Sequence, residues 1–364
     1  MKKILFVSPF AYPLFAPECE LKFGGAEVQM YLLAKELAKD DNFSVNFAVL
    51  DVGQEQKQKI ENVNVYTAYK RGRNILNLIK APCKLFNLLK YIKPDIVINR
   101  AHGVEAGICA FYCKLNKSKF IYSIASDFDI TGDRFQGFRG KIFKYGFYNA
   151  EKLIAQSKDQ MNLLSQISPE QYKKSVLIKN SFLIENTEKE KNNVLWVGSS
   201  ADVKRPQVFV DLAKKFPEQN FVMIMTKSGV NIDLWYSIKK QIEKLENIEL
   251  IEKVPFKEIK KYFAQAKVFI NTSRAEGFPN TFLQAINGKT PILSLRVDPD
   301  NFIVTNKCGL ECADDIQKLE DNLKKLLKDK VLRETMGANG QEYIKENHNL
   351  EKNIEKWKEV FNNC

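Results

Sequence analysis

One pattern occurs twice in this chain, and it limits the fold more than any other feature of its 364 residues. In its first occurrence, Lys3-Ile4-Leu5-Phe6-Val7-Ser8 reads as a short buried strand, and a Pro-containing loop leads to Gly24-Gly25-Ala26-Glu27. Val28, Tyr31, Leu32, Ala34, Leu37 and Ala38 then fall at helical spacing, and 45–50 resumes as a strand, which completes a βαβ unit. Strands at 95–99, 119–124, 152–155 and 175–178, with helices over 103–115 and near 158–166, continue the series. Their apolar character is that of parallel strands buried on both faces. The polar stretch 185–193 interrupts the series, and Val194-Leu195-Trp196-Val197-Gly198 starts it again. Strands at 221–225, 248–251, 268–271 and 291–295 alternate with helical segments before a tail, 316–361, that is nearly all helix. A chain this long exceeds what one core supports, so the repetition predicts two doubly wound α/β domains. Ligands of such sheets bind beyond the carboxyl ends of the strands, and a cleft between the domains is the expected active site.

Composition narrows the class. With 45% hydrophobic residues and no long Gly/Ser or single-sign tract, the chain is globular. No run approaches the roughly 20 apolar residues that span a bilayer. The opening apolar run ends in Ser8-Pro9 rather than a cleavage site, so a cytoplasmic protein is expected. Seven cysteines form no CxxC pair and only two histidines accompany them, which argues against a metal site. A net charge of +12 favours an anionic partner: nucleic acid, a diphosphate or an acidic membrane. Nucleic acid fits worst, because the chain has no zinc finger, RNP-like strand or arginine-rich tract. G-x-G-x-x-G is missing after Val7 and after Val197, and no G-x-x-x-x-G-K-[ST] occurs, which removes the main support for a dehydrogenase or a P-loop enzyme.

The segment from Asn271 to Ala285 carries the sharpest chemistry, because a strand ends and a helix begins there. Gly277 permits close approach of a ligand to the main chain, Pro279 suits a first helical turn, and the amides there would meet a diphosphate. Glu276 either accepts hydrogen bonds from hydroxyls of a sugar joined to that diphosphate or caps the helix. At this point the chain resembles the retaining glycosyltransferases of the GT-B fold, specifically the large family 4. That family carries a Glu-Gly-Phe-(Pro/Gly) turn with a second Glu eight positions after the first, and Glu276-Gly277-Phe278-Pro279-Asn280-Thr281 matches its beginning. The resemblance implies Glu276 at the donor sugar and the turn through Gly277, Phe278, Pro279, Asn280 and Thr281 at the phosphates. Its second Glu, at the ribose, is Gln284 here, and a neutral acceptor in place of a charged one weakens donor binding by about 1 kcal/mol.

A second match runs from Val194 to Pro206 and looks like the family's strand, Gly turn at Gly198 and Lys before the next helix. Lys204 would neutralise the donor diphosphate. Family members usually have Arg directly after this Gly, where Ser199 stands here, and Arg205 is the expected substitute. Cations at a helix start are unfavourable unless an anion lies nearby, which supports phosphate over a solvated face. Gly24 and Gly25 resemble the family's glycine loop, though adjacent glycines also make a plain tight turn. Many relatives carry a catalytic-site His after the strand at 120–124, where this chain reads Ser123-Ile124-Ala125-Ser126-Asp127-Phe128-Asp129. Asp127 either accepts a hydroxyl near the reacting centre or caps the next helix. His102 ends a strand on the same side and is a further catalytic candidate, though a packed loop residue is the plainer expectation.

The resemblance covers nearly the whole chain. It implies an α/β GT-B architecture of two Rossmann-like domains facing across a cleft: an acceptor domain at 1–185, a donor domain at 190–345, and a helix at 346–364 that returns to the first. It also implies transfer of a sugar from a nucleoside diphosphate sugar to a glycan or lipid-linked acceptor, with retention, no metal and no cofactor, in cell-surface polysaccharide or glycoconjugate assembly. Ser199, Gln284 and the missing His keep open a non-catalytic binding subunit of the same fold, and a sugar-nucleotide epimerase shares the architecture. Segment 70–93 holds seven Lys or Arg and no acid among Ile75, Leu76, Leu78, Ile79, Leu85, Phe86, Leu88 and Leu89. It reads either as a basic amphipathic surface, interrupted at Pro82, that docks on an anionic membrane at its inner face, or as a helix packed on the sheet.

Overall fold

The computed structural model describes the whole chain except residues 71, 73, 74, 101, 186–188 and 230 and the side chains of 75–79. It divides into two compact units, one of Met1–Phe182 with His348–Cys364 and one of Leu183–Asn347. Arg71, Arg73 and the side chains of Ile75, Leu76, Leu78 and Ile79, on which part of the membrane reading rests, lie outside the described residues, as does the middle of 185–193.

In the first unit, β1 (Lys2–Val7), β2 (Phe43–Leu50), β3 (Lys57–Ile60), β4 (Val63–Tyr69), β5 (Ile96–Arg100), β6 (Lys119–Ser123), β7 (Lys152–Ala155) and β8 (Ser175–Leu177) form one sheet. Its order is β3-β4-β2-β1-β5-β6-β7-β8. Only the β3–β4 pairing is antiparallel. Parallel neighbours need long crossovers, which α1 (Gly25–Leu37), α2 (Ile75–Ile92), α3 (Val104–Asn116), α4 (Gly137–Tyr148) and α5 (Lys158–Ile167) help to supply. Leu5, Val7, Val97, Phe120 and Tyr122 share one buried cluster with Leu85, Leu89, Cys109, Phe143 and Phe147 of the covering helices. Strand alternation turns Phe6 the other way, where it stacks on Phe47 with ring centroids 5.7 Å apart.

Several details depart from the sequence reading. The interruption expected at Pro82 does not occur, because α2 runs through it. An interior proline costs about 3 kcal/mol, whereas burying Leu85, Leu89 and Ile92 contributes about 1.5–3 kcal/mol each and outweighs it. β3 and β4 are additions to the expected strands. Glu61 and Asn62 join them, both left-handed at φ 49° and 65°, in the two-residue turn that matches sheet twist.

The second unit holds β9 (Asn193–Ser199), β10 (Phe221–Thr226), β11 (Ile248–Ile251), β12 (Ala266–Asn271), β13 (Ile292–Ser294) and β14 (Gly309–Glu311), paired in the order β11-β10-β9-β12-β13-β14. All these pairings are parallel. Its helices are α6 (Pro206–Lys215), α7 (Ile232–Ile242), α8 (Ile259–Gln265), α9 (Asn280–Asn287), α10 (Ile316–Lys328) and α11 (Lys330–Asn347). In α10, Leu319, Leu323 and Leu326 fall at i, i+4 and i+7 and are fully buried, so this stripe docks the helix on the sheet. Strand order reverses between β1 and β5 in the first unit and between β9 and β12 in the second. At such a switch point the loops leaving the two strands diverge and open a crevice for a ligand.

α12 (Leu350–Asn362) completes the first unit. The Phe361 ring meets Phe43 at 6.0 Å, and Lys2 Nζ donates to the Phe361 carbonyl at 2.7 Å. Ahead of this helix His348 is fully buried, with Nδ1 2.6 Å from the Asn180 carbonyl oxygen. A carbonyl only accepts, so the proton sits on Nδ1. Burial holds the His348 pKa down to about 3.

Candidate active site

The loops leaving β9 and β12 meet at the switch point of the second unit. Gly198, expected in a turn, lies inside β9, where a Cβ would come within 2.7 Å of the Trp196 ring. The Trp196 indole N–H donates to Thr272 Oγ1 at 2.9 Å, and the Thr272 hydroxyl donates to the Lys204 carbonyl at 2.6 Å. A main-chain bond of 2.8 Å from Arg274 N–H to the Val203 carbonyl ties the same loops again. These bonds bring Lys204 to Glu276, whose carboxylate pairs with the Lys204 ammonium and accepts from Ser273 Oγ at 2.8 Å.

Arg205 has a different place from the one its charge suggests. Its backbone is left-handed at φ 49°, just ahead of Pro206 at the start of α6. Its guanidinium donates to the Thr272 carbonyl at 2.6 Å and the Ser273 carbonyl at 3.3 Å and pairs with Asp314. It therefore braces the two loops, and Lys204 is the cation of this cluster that faces Glu276.

The turn after Glu276 leads into α9. Phe278 is buried, with its ring 5.1 Å from Phe302, so its side chain anchors the turn. Pro279 stands one position outside the helix rather than in its first turn. Gly277, Asn280 and Thr281 are partly exposed around the helix start, where the direction of the main-chain N–H groups and the helix dipole favour an anion. Gln284 lies one turn further, on the same face as Asn280, and its side-chain amide makes no hydrogen bond among the described residues.

In the first unit, the expected residues lie on the loops after β1, β5 and β6 but do not form one cluster. Gly24 and Gly25 are exposed, and the Gly24 N–H is taken by Glu27 Oε2 at 2.8 Å. His102 stands at the surface with only part of its ring enclosed by its neighbours. Arg134 Nη1 lies 2.7 Å from its Nδ1, and its ring meets Phe143 edge-on at 6.3 Å. Burial of the ring and the Arg134 charge lower the His102 pKa. Asp127 caps nothing with its side chain; it accepts from Gln160 Nε2 at 3.1 Å, and burial pushes its pKa up. Asp129 is the carboxylate that ties this loop down: it accepts from the Ala125 N–H at 3.0 Å and the Tyr122 hydroxyl at 3.0 Å.

Arg100 escaped the sequence reading. It ends β5 almost fully buried and donates to Gln156 Oε1 at 2.8 Å, Asn180 Oδ1 at 2.9 Å and Ser123 Oγ at 3.3 Å. Burial among neutral partners draws its pKa down to about 10. The signal was a single charge closing the apolar run Ile96-Val97-Ile98.

Both halves of the chain match families of known proteins. A family model described as Glycosyl transferases group 1 matches residues 178–343, and one described as Glycosyl transferase 4-like matches residues 24–157. An uncharacterized glycosyltransferase of Methanocaldococcus jannaschii is 24% identical over 333 residues, which cover 88% of this chain and 90% of that protein. Sucrose-phosphate synthase from Thermosynechococcus elongatus has a similar structure, with a TM-score of 0.80 at 14% identity over 100% of this chain and 99% of that one. The Anabaena protein HepE, in complex with UDP and glucose, gives a TM-score of 0.76 at 14% identity with both chains covered completely. At these identities the structures speak for the fold and the family models for descent: the chain belongs to the group 1 glycosyltransferases of the GT-B fold.

Proposed function

We propose that the protein transfers a sugar from a nucleoside diphosphate sugar to a glycan or lipid-linked acceptor, with retention at the anomeric carbon and without a metal ion. Its place is the assembly of cell-surface polysaccharide or glycoconjugate at the inner face of the membrane. The observation that carries this reading is the pairing of Lys204 with Glu276 at a switch point, beside the start of α9. A bound diphosphate competes for the Lys204 ammonium and releases Glu276 to accept hydrogen bonds from the sugar. As the glycosidic bond to the diphosphate breaks, negative charge grows on the leaving oxygen, and Lys204 with the first amides of α9 stabilises it. The structure of HepE with UDP and glucose supports a nucleotide-sugar donor.

The test is a panel of UDP-, GDP- and other activated sugars with purified protein, read first by thermal shift and then by product analysis. One donor class should raise the melting temperature and be consumed, with the sugar appearing on acceptor in its original anomeric configuration. An inverted product would overturn retention, an epimerised donor would make the protein an epimerase, and binding without consumption would make it a binding subunit.

A further inference from the structure

We propose that a groove between α2, α3 and α4 seats a hydrocarbon chain of an anionic membrane lipid and so holds the protein on the membrane surface. The idea deepens the lipid-linked acceptor reading, but it stands on residues of the first unit that take no part in the donor site. The groove has a volume of about 660 Å³ and is lined mainly by Phe86, Ile108, Phe111, Phe138, Ile142 and Tyr145. Phe138 is 80% exposed and Phe111 49%, an unfavourable placement for two phenyl rings that are left open among the described residues.

The groove follows from how the helices meet. A Cβ at Gly107 would lie 2.4 Å from the Ile142 carbonyl oxygen, and one at Gly146 would lie 2.5 Å from the Ala106 carbonyl carbon. With no side chain at either position, the backbones of α3 and α4 come together as a floor. On the other side of α3, the Phe86 ring packs 5.7 Å from Tyr112 and 6.1 Å from Phe111 to form the opposite wall.

Charge identifies the occupant. Lys80, Lys84 and Lys90 on α2, Lys114 on α3 and Arg139, Lys141 and Lys144 on α4 face a single acid on the three helices, Glu105, which pairs with the Tyr69 hydroxyl. Lys141 lines the groove itself, and the Lys90 ammonium lies 5.1 Å from the Phe86 ring centre. An apolar trough among cations complements a surface that is apolar beneath and anionic at its headgroups. An acidic protein would satisfy the lysines and leave the trough unfilled, while a second copy of this chain would bring the same positive charge and be repelled.

Vesicle flotation tests this with phosphatidylcholine alone and with a phosphatidylcholine–phosphatidylglycerol mixture. The wild type should float with the mixture at low salt, stay behind with the neutral lipid, and dissociate as salt rises. Phe138→Ser with Phe111→Ser should cut the bound fraction about tenfold or more, and Lys84→Glu with Lys141→Glu should act similarly. All four positions are exposed, so melting temperature and nucleoside diphosphate binding should stay at wild-type values, which separates this result from failure of the donor reading. Wild type left in the soluble fraction on anionic vesicles overturns the proposal, as does flotation unaffected by the Phe changes. A dimer seen in sedimentation and lost with Phe138→Ser would instead make the groove an interface between copies.

Discussion

Lys204 and Glu276 are placed by the main chain around them more than by their own attraction. The bonds from Thr272 and Arg274 to the loop of Lys204 persist whatever happens to the carboxylate, and a partly exposed ion pair contributes about 1 kcal/mol or less. Glu276→Ala should therefore lower transfer by about 100-fold or more while nucleoside diphosphate binding holds or tightens, since Lys204 loses its competitor; Glu276→Gln should be milder. Turnover with its usual rate in the Ala variant would remove Glu276 from the reaction. Lys204→Ala should weaken nucleoside diphosphate about tenfold or more, the value of a charge-assisted bond, and leave the bare nucleoside unchanged. Calorimetry on both ligands decides this, and equal losses would indicate a damaged fold. For Arg205→Ala the expected damage is structural: three internal bonds go, so its melting temperature should fall further than that of Lys204→Ala. The residue types of this cluster could be read from the sequence. The pairing of Lys204 with Glu276 could not, because Trp196, Thr272 and Asp314, which fix the loops, come from distant parts of the chain.

Parallel strands were legible because burial on both faces leaves an unbroken apolar run, as in Ile96-Val97-Ile98. β3 was not: Lys57-Gln58-Lys59-Ile60 is a polar edge strand whose structure comes from its partner. α4 also went unseen, since three glycines in twelve residues weaken the helical signal, whereas packing requires Gly140 and Gly146 to be small. Gly107→Ala or Gly146→Ala should thus cost about 1–3 kcal/mol by forcing α3 and α4 apart, measured by urea unfolding; an unchanged midpoint would mean the helices separate at no cost. The return of the chain through His348 makes a pH prediction. Its folded pKa of about 3 lies below the ordinary histidine value, so the unfolded chain binds the extra proton and stability falls as pH drops below about 6.5. Between pH 7 and pH 5 the wild type should lose about 2 kcal/mol more than His348→Gln. Parallel losses in the two proteins would contradict a neutral buried imidazole.

Across the whole molecule, no helix among the described residues is long and apolar enough to cross a membrane, so the proposed membrane contact is one of surface and charge. A nucleoside diphosphate at a hundred times its dissociation constant should stabilise the fold that binds it by about 2.7 kcal/mol, and a melting curve indifferent to every nucleotide would argue against a donor site. The two units also differ in how they are written along the chain. One is Leu183–Asn347 without interruption, while the other needs both Met1–Phe182 and His348–Cys364. A ribosome adds about 5–20 residues per second, so the first sheet emerges roughly 10–30 s before the helix that covers Phe43. In that interval the later-born unit can finish folding while the earlier one is still incomplete. A chain truncated just short of His348 would keep a complete second unit and an uncovered first one, the kind of half-made product that chaperones and proteases sort.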